Sequence, residues 1–176
     1  MNAIALSVLA LLGLAGLGMY RDIPHTRFRA AAVLAGSLAL LAGAGWTAWQ
    51  GSRLDGTWSE AAVVLATWAA VVAGGPVATS VLRLAVSAHA PPGTPSPADP
   101  LILRGGAWIG VLERLCVVAT LLLGWPEGIA LTLGVKGLGR YPDLRTPGAA
   151  ERFIIGTFAS VLWACGCAGA GWALLV

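Results

Sequence analysis

A chain of 176 residues with 57% apolar and only 11% charged side chains has too little polar surface to cover a water-soluble globule, in which about a quarter of the residues would be charged. Its mean hydropathy of +0.80 points to one compact, all-α, polytopic membrane bundle, with membrane lipid as its surroundings and no separate soluble domain. The net charge of +3 reads as cytoplasmic-loop bias. No basic run interleaved with aromatics accompanies it, so nucleic acid is not an expected partner.

The first apolar segment covers residues 3–20. No basic stretch precedes it and its arginines follow it, so it is expected to be a retained span and not a cleaved signal. A polar hinge with Arg21, Asp22, His25, Arg27 and Arg29 comes next. His25 is of a type that titrates near neutral pH, though a solvated loop histidine is the plainer reading. Segment two covers residues 30–49, and Trp46, Trp49 and Trp58 bracket the loop after it, as tryptophans do at a membrane–water interface. Segment three, residues 61–87, contains Gly74-Gly75-Pro76, where a kink or break is expected because proline lacks the backbone donor and crowds the preceding turn.

Residues 90–100 hold five prolines and a glycine and form a linker that cannot continue a helix. It divides the chain into two three-helix halves, 1–89 and 101–176, within one membrane domain. Two such halves enter the membrane from opposite sides, which permits an inverted repeat. The stretches after Tyr20 and after Tyr141 match only loosely.

Segment four, residues 101–125, is expected to organise the chain. As a helix, its 25 residues would rise about 37 Å, against a hydrocarbon core of about 30 Å. Glu113 and Arg114 sit at its middle, and each such charge costs about 2.5–3.5 kcal/mol at the bilayer centre. The segment Trp125 to Gly128 reads as a tight turn. Segment five, residues 129–141, is short, carries Lys136 and Arg140, and is expected to be a thin full span in preference to a re-entrant piece. Segment six covers residues 149–176 and opens with Glu151-Arg152.

Six spans with both termini outside put Arg21, Arg27, Arg29, Arg83, Arg104, Lys136, Arg140, Arg145 and Arg152 on the cytoplasmic side and only Arg53 on the other. The expected location is therefore a bacterial inner membrane, crossed several times.

Glu113 and Arg114 are the leading site candidates. Neighbours on a helix point about 100° apart, so each needs a partner from another helix: Lys136 or Arg140 for Glu113, and Glu151 or Glu127 for Arg114. The centre reads as a proton or ion relay or an anion site, or else as an ion pair that fixes helix register. Lys136, Arg140, Arg145 and Arg152 form a basic cluster suited to a lipid headgroup or an anionic solute, with ordinary cytoplasmic decoration as the plainer account.

The three cysteines, Cys116, Cys165 and Cys167, all lie in apolar segments. Their spacing suits neither a metal site nor a disulfide framework, so they read as small packing residues. With two histidines in all and no soluble-enzyme motif, no metal, cofactor or catalytic residue is expected. Small residues at Gly13 and Gly16, at Gly106 and Gly110, and at Ala164, Ala168 and Gly171 allow close helix approach. Packing within one chain accounts for most of these faces; a homo-oligomer or a membrane-complex partner is the alternative.

Two resemblances rest on these residues. Arg21-Asp22-Ile23-Pro24-His25-Thr26-Arg27 with the alanines at 30–32, and Pro76-Val77-Ala78 with Arg83, make residues 1–90 similar to the smallest three-helix subunit of multisubunit sodium/proton antiporters, with Pro and Asp in reversed order. IGVLERL, KGLGRYPDL and AERFIIGTFAS make residues 101–176 resemble a bacterial multi-pass membrane domain without an assigned activity. Neither implies a catalytic residue. The expected function is transport of an ion or small solute through a Glu113/Arg114 centre. The alternatives are a non-catalytic accessory or scaffold subunit and a lipid-handling membrane enzyme.

Overall fold

The computed structural model describes residues 1–21, 26–86, 106–142 and 148–176. The 90–100 linker, Asp22, His25, Arg104 and Arg145 lie outside them. Among the described residues the chain is all helical: α1 Asn2–Arg21, α2 Arg27–Trp49, α3 Thr57–Val86, α4 Gly106–Leu122, α5 Gly128–Arg140 and α6 Ala149–Ala173. Four of these, α1, α2, α3 and α6, are long and apolar enough to cross a membrane. The chain is a helical membrane protein, with α4 and α5 its shorter elements.

Local chemistry sets the helix ends. Thr26 caps α2 by accepting the Arg29 N–H at 3.3 Å. α4 ends at a Schellman motif: Gly124 takes φ 73°, the Trp125 N–H bonds the Thr120 carbonyl and the Gly124 N–H bonds the Leu121 carbonyl. The motif ends the expected 101–125 span at Leu122; of that helix the 17 residues Gly106–Leu122 are described, and 101–105 lie outside the described residues. α5 has 13 residues, about 20 Å of rise, which falls short of a hydrocarbon core of about 30 Å.

α3 bears on two expectations. It continues through Pro76 as a single helix of 30 residues, so of the kink or break expected there the break does not occur. Side chains reach the backbone around the proline: the Thr79 hydroxyl donates to the Gly75 carbonyl at 2.9 Å, and Arg114 donates to the Val71 carbonyl. α3, and not segment four, is the hub. It packs against α1, α2, α4 and α6, whereas α5 leans chiefly on α4. The helices on either side of the linker thus share one core.

That core is built from small residues. Ala62, Ala66, Ala69, Ala70 and Ala73 on α3 are sealed against Ala5, Leu9 and Leu12 of α1 and Ala164, Cys167 and Ala168 of α6. A methyl on Gly16 would stand 2.8 Å from the Ala73 backbone, and one on Gly171 would stand 2.7 Å from the Ala66 side chain, so these glycines let the helices meet almost backbone to backbone. The outer faces stay apolar, with Leu11, Leu14, Leu17, Leu38, Val64 and Leu162 exposed, as lipid requires.

One end of the bundle joins Asn2, the α2–α3 loop and the C-terminus. The Asn2 amide donates to the Ser52 carbonyl at 2.6 Å, the Leu54 N–H to the Leu174 carbonyl at 2.9 Å, and the Arg53 guanidinium to the Val176 carbonyl at 3.2 Å. Exposed Trp46, Trp49, Trp58 and Trp172 ring this end. Exposed Phe28 marks the other end of α2, 18 residues before Trp46; that is about 27 Å, close to the thickness of a hydrocarbon core.

Candidate functional site: a charged centre inside the bundle

The tight turn from Leu123 to Glu127 folds α5 back along α4. Gly128 presses on Thr120 and Trp125, where a Cβ would have no room, and this contact fixes the register of the hairpin. Counting away from the turn, Glu113 and Lys136 come opposite each other. Lys136 Nζ lies 2.5 Å from Glu113 Oε2, with the two side chains 17% and 13% exposed. The same ammonium stands 5.6 Å from the centre of the Phe153 ring, which ties the hairpin to the start of α6 by a cation–π contact. Glu113 Oε1 is buried and has no hydrogen-bond partner among the described residues.

Arg114, one residue on, turns to the other side of α4 and is only 4% exposed. Its Nε donates to the Val71 carbonyl at 3.1 Å and a terminal nitrogen donates to Ser160 Oγ at 3.3 Å. Val71 is the fifteenth residue of thirty in α3, and Ser160 the twelfth of twenty-five in α6, so the guanidinium sits at mid-length of both helices. Glycines clear its path. A Cβ on Gly74 would collide with the Arg114 side chain and with Trp163, and one on Gly110 would stand 3.0 Å from the guanidinium. Trp163 closes the side of the site by donating to the Ala69 carbonyl at 3.2 Å. The Tyr20 hydroxyl packs on Gly75 and interacts with Arg114, bringing in α1.

Two cations and one carboxylate therefore share this interior, leaving one net positive charge. Arg114 does not use either acid that its sequence position suggested. Glu151 is exposed on the first turn of α6, and Glu127 is exposed just before α5. The hydrogen bonds of Arg114 go instead to neutral oxygens on the helices it packs against, the Val71 carbonyl and Ser160 Oγ; Gly74 and Gly75, one turn after Val71, put no side chain over that carbonyl. Those glycines, together with the hydroxyl of Ser160, were the available signal.

The basic cluster does not converge on one point. Lys136 turns inward to Glu113, Arg140 is half-buried, Arg152 is exposed, and Arg145 lies outside the described residues. Cys116 is exposed, Cys165 half-buried and Cys167 buried, and all three are free thiols. No protein-family model, curated protein or solved structure matches this chain, so the two resemblances stand on their quoted residues alone.

Proposed function

We propose that this protein moves an ion or small solute across a bacterial inner membrane, with Glu113 and Arg114 as its charged centre and Lys136 and Arg140 on the cytoplasmic approach to it. The carrying observation is the unbalanced charge: Glu113 is taken up by Lys136, and the buried Arg114 has only neutral oxygens in hydrogen-bond contact. An intramembrane ion held at such cost marks a pathway more often than a scaffold. The unused oxygen of Glu113 is a second point where a proton or cation could be held. Flux into liposomes carrying the purified protein tests the reading. Flux with the wild type that disappears in folded Glu113→Gln supports it, and absence of flux for protons, cations and anions alike overturns it.

The second reading, an accessory or scaffold subunit, has its own observation. Through Val71 and Ser160, Arg114 staples α4 to α3 and α6, as a purely structural charge would.

In our reading the end bearing Arg27, Arg29, Arg83, Arg140 and Arg152 faces the cytoplasm, and the end bearing Arg53, Asp55 and Glu60 faces outward.

A further inference from the structure

Arg114 ties three helices at one level. From α4 it bonds the Val71 carbonyl of α3 and Ser160 of α6, so positions along these helices are counted from that level at about 1.5 Å per residue. Toward the end that holds the termini, exposed Trp172 is 12 residues from Ser160 and exposed Trp58 is 13 from Val71. These rises of about 18–20 Å reach the edge of a hydrocarbon core whose half-thickness is about 15 Å.

The arginine-bearing end is stepped. On α3, Arg83 is 12 residues past Val71, about 18 Å. On α4, exposed Trp108 is only six residues from Arg114, about 9 Å. Lys136 meets Glu113, so exposed Tyr141, five residues further on, comes level with Trp108, and Arg140 comes with it. On α6, exposed Arg152 is eight residues from Ser160, about 12 Å. A flat leaflet would sink an indole, a phenol and two guanidiniums below its edge on three neighbouring elements. These are the side chains that settle among headgroups. Below them the exposed side chains are aliphatic: Ile109, Leu112 and Leu115 on α4, and Leu131, Val135 and Leu138 on α5. That surface suits acyl chains.

We infer that the face made by α4, α5 and the start of α6 at this end is a docking surface for phospholipid headgroups. They descend there to the level of Trp108 and Tyr141, about 6 Å below the plane of a flat leaflet. Their phosphates meet the guanidiniums of Arg140 and Arg152. Glu113, five residues from Trp108, then lies only about 7 Å beneath the headgroups. The inference requires a bilayer around the chain and does not depend on transport.

The test uses the full chain in nanodiscs of oleoyl-chain phosphatidylcholine and phosphatidylglycerol. In a background without native cysteines, a nitroxide is placed at Trp108→Cys or at Val64→Cys. Val64 is exposed on α3, seven residues from Val71 toward the other end, so it stands about 10 Å from the level of Arg114. Depth is read from relaxation of the nitroxide by oxygen against a water-soluble nickel chelate. The label at 108 is expected at headgroup depth, about 5 Å shallower than the label at 64. Replacing the lipids by myristoleoyl-chain ones should bring the label at 64 toward the headgroups and leave the reading at 108 unchanged. Equal depths at the two positions overturn the inference, as does a reading at 108 that moves with chain length as much as that at 64. A label at 108 shielded from both reagents also overturns it, since a second copy of the chain would then cover this face. If Trp108→Cys fails to fold, Tyr141→Cys, at the same level, carries the same expectation.

Discussion

Glu113 and Lys136 are each a poor choice for the interior alone and a tolerable one together. Removing one partner leaves the other charge enclosed and uncompensated, which costs about 3 kcal/mol or more for buried pairs. Lys136→Met is therefore expected to lower unfolding stability in detergent by about that amount, and Glu113→Gln/Lys136→Met to recover most of it. The coupling read from that double-mutant cycle checks the pair directly, and a coupling near zero would mean that the contact is incidental. This pair was legible in the sequence. A carboxylate amid an apolar run needs a cation, and a short hairpin offers only Lys136 and Arg140 within reach. The environment of Arg114 was not legible, because its partners are a carbonyl and a hydroxyl. No charge pattern reports that the Val71 carbonyl is accessible; the glycines at 74 and 75 are the indirect sign.

Among the elements, the crossing of α3 with α4 depends on what Gly74 lacks. A methyl there would overlap the Arg114 side chain and come within 2.9 Å of Trp163. Gly74→Ala is therefore expected to destabilise by about 1–3 kcal/mol, the usual range for overpacking, and to recover in part when combined with Arg114→Ala. A thermal-unfolding comparison of the two variants measures this, and a neutral Gly74→Ala would contradict the described path of Arg114. The long apolar helices could be read from the sequence because nothing interrupts their hydrophobic runs. The end of α4 could not be placed so well. Gly124 supplies the left-handed residue of a Schellman motif, and glycines are too frequent in this chain, 24 in all, for one of them to stand out as a stop. At Pro76 the kink or break expected from the sequence is not a break, since α3 continues through it as one helix.

Over the whole molecule, charge and aromatic residues divide the two ends. The termini share one end with the α2–α3 loop through the bonds of Asn2, Arg53 and Leu54, and the arginine-rich end lies opposite. A membrane-impermeant thiol reagent applied to intact cells is expected to label a cysteine placed at Asp55 and to spare one placed at Arg152, in a background without native cysteines. The reverse pattern would invert the orientation. The position of α3 as hub was hidden from the sequence, since its small residues look alike on every face and only the folded bundle shows how many neighbours they admit. What the charged interior is for is the central claim, and one comparison separates its two readings: ion flux per folded molecule in liposomes for wild type and Arg114→Met. We expect the variant to remain folded, since a hydrophobic chain of similar length replaces a buried ion, and to lose flux. Flux equal to that of the wild type from a less stable Arg114→Met would contradict the account and leave Arg114 as a staple between helices.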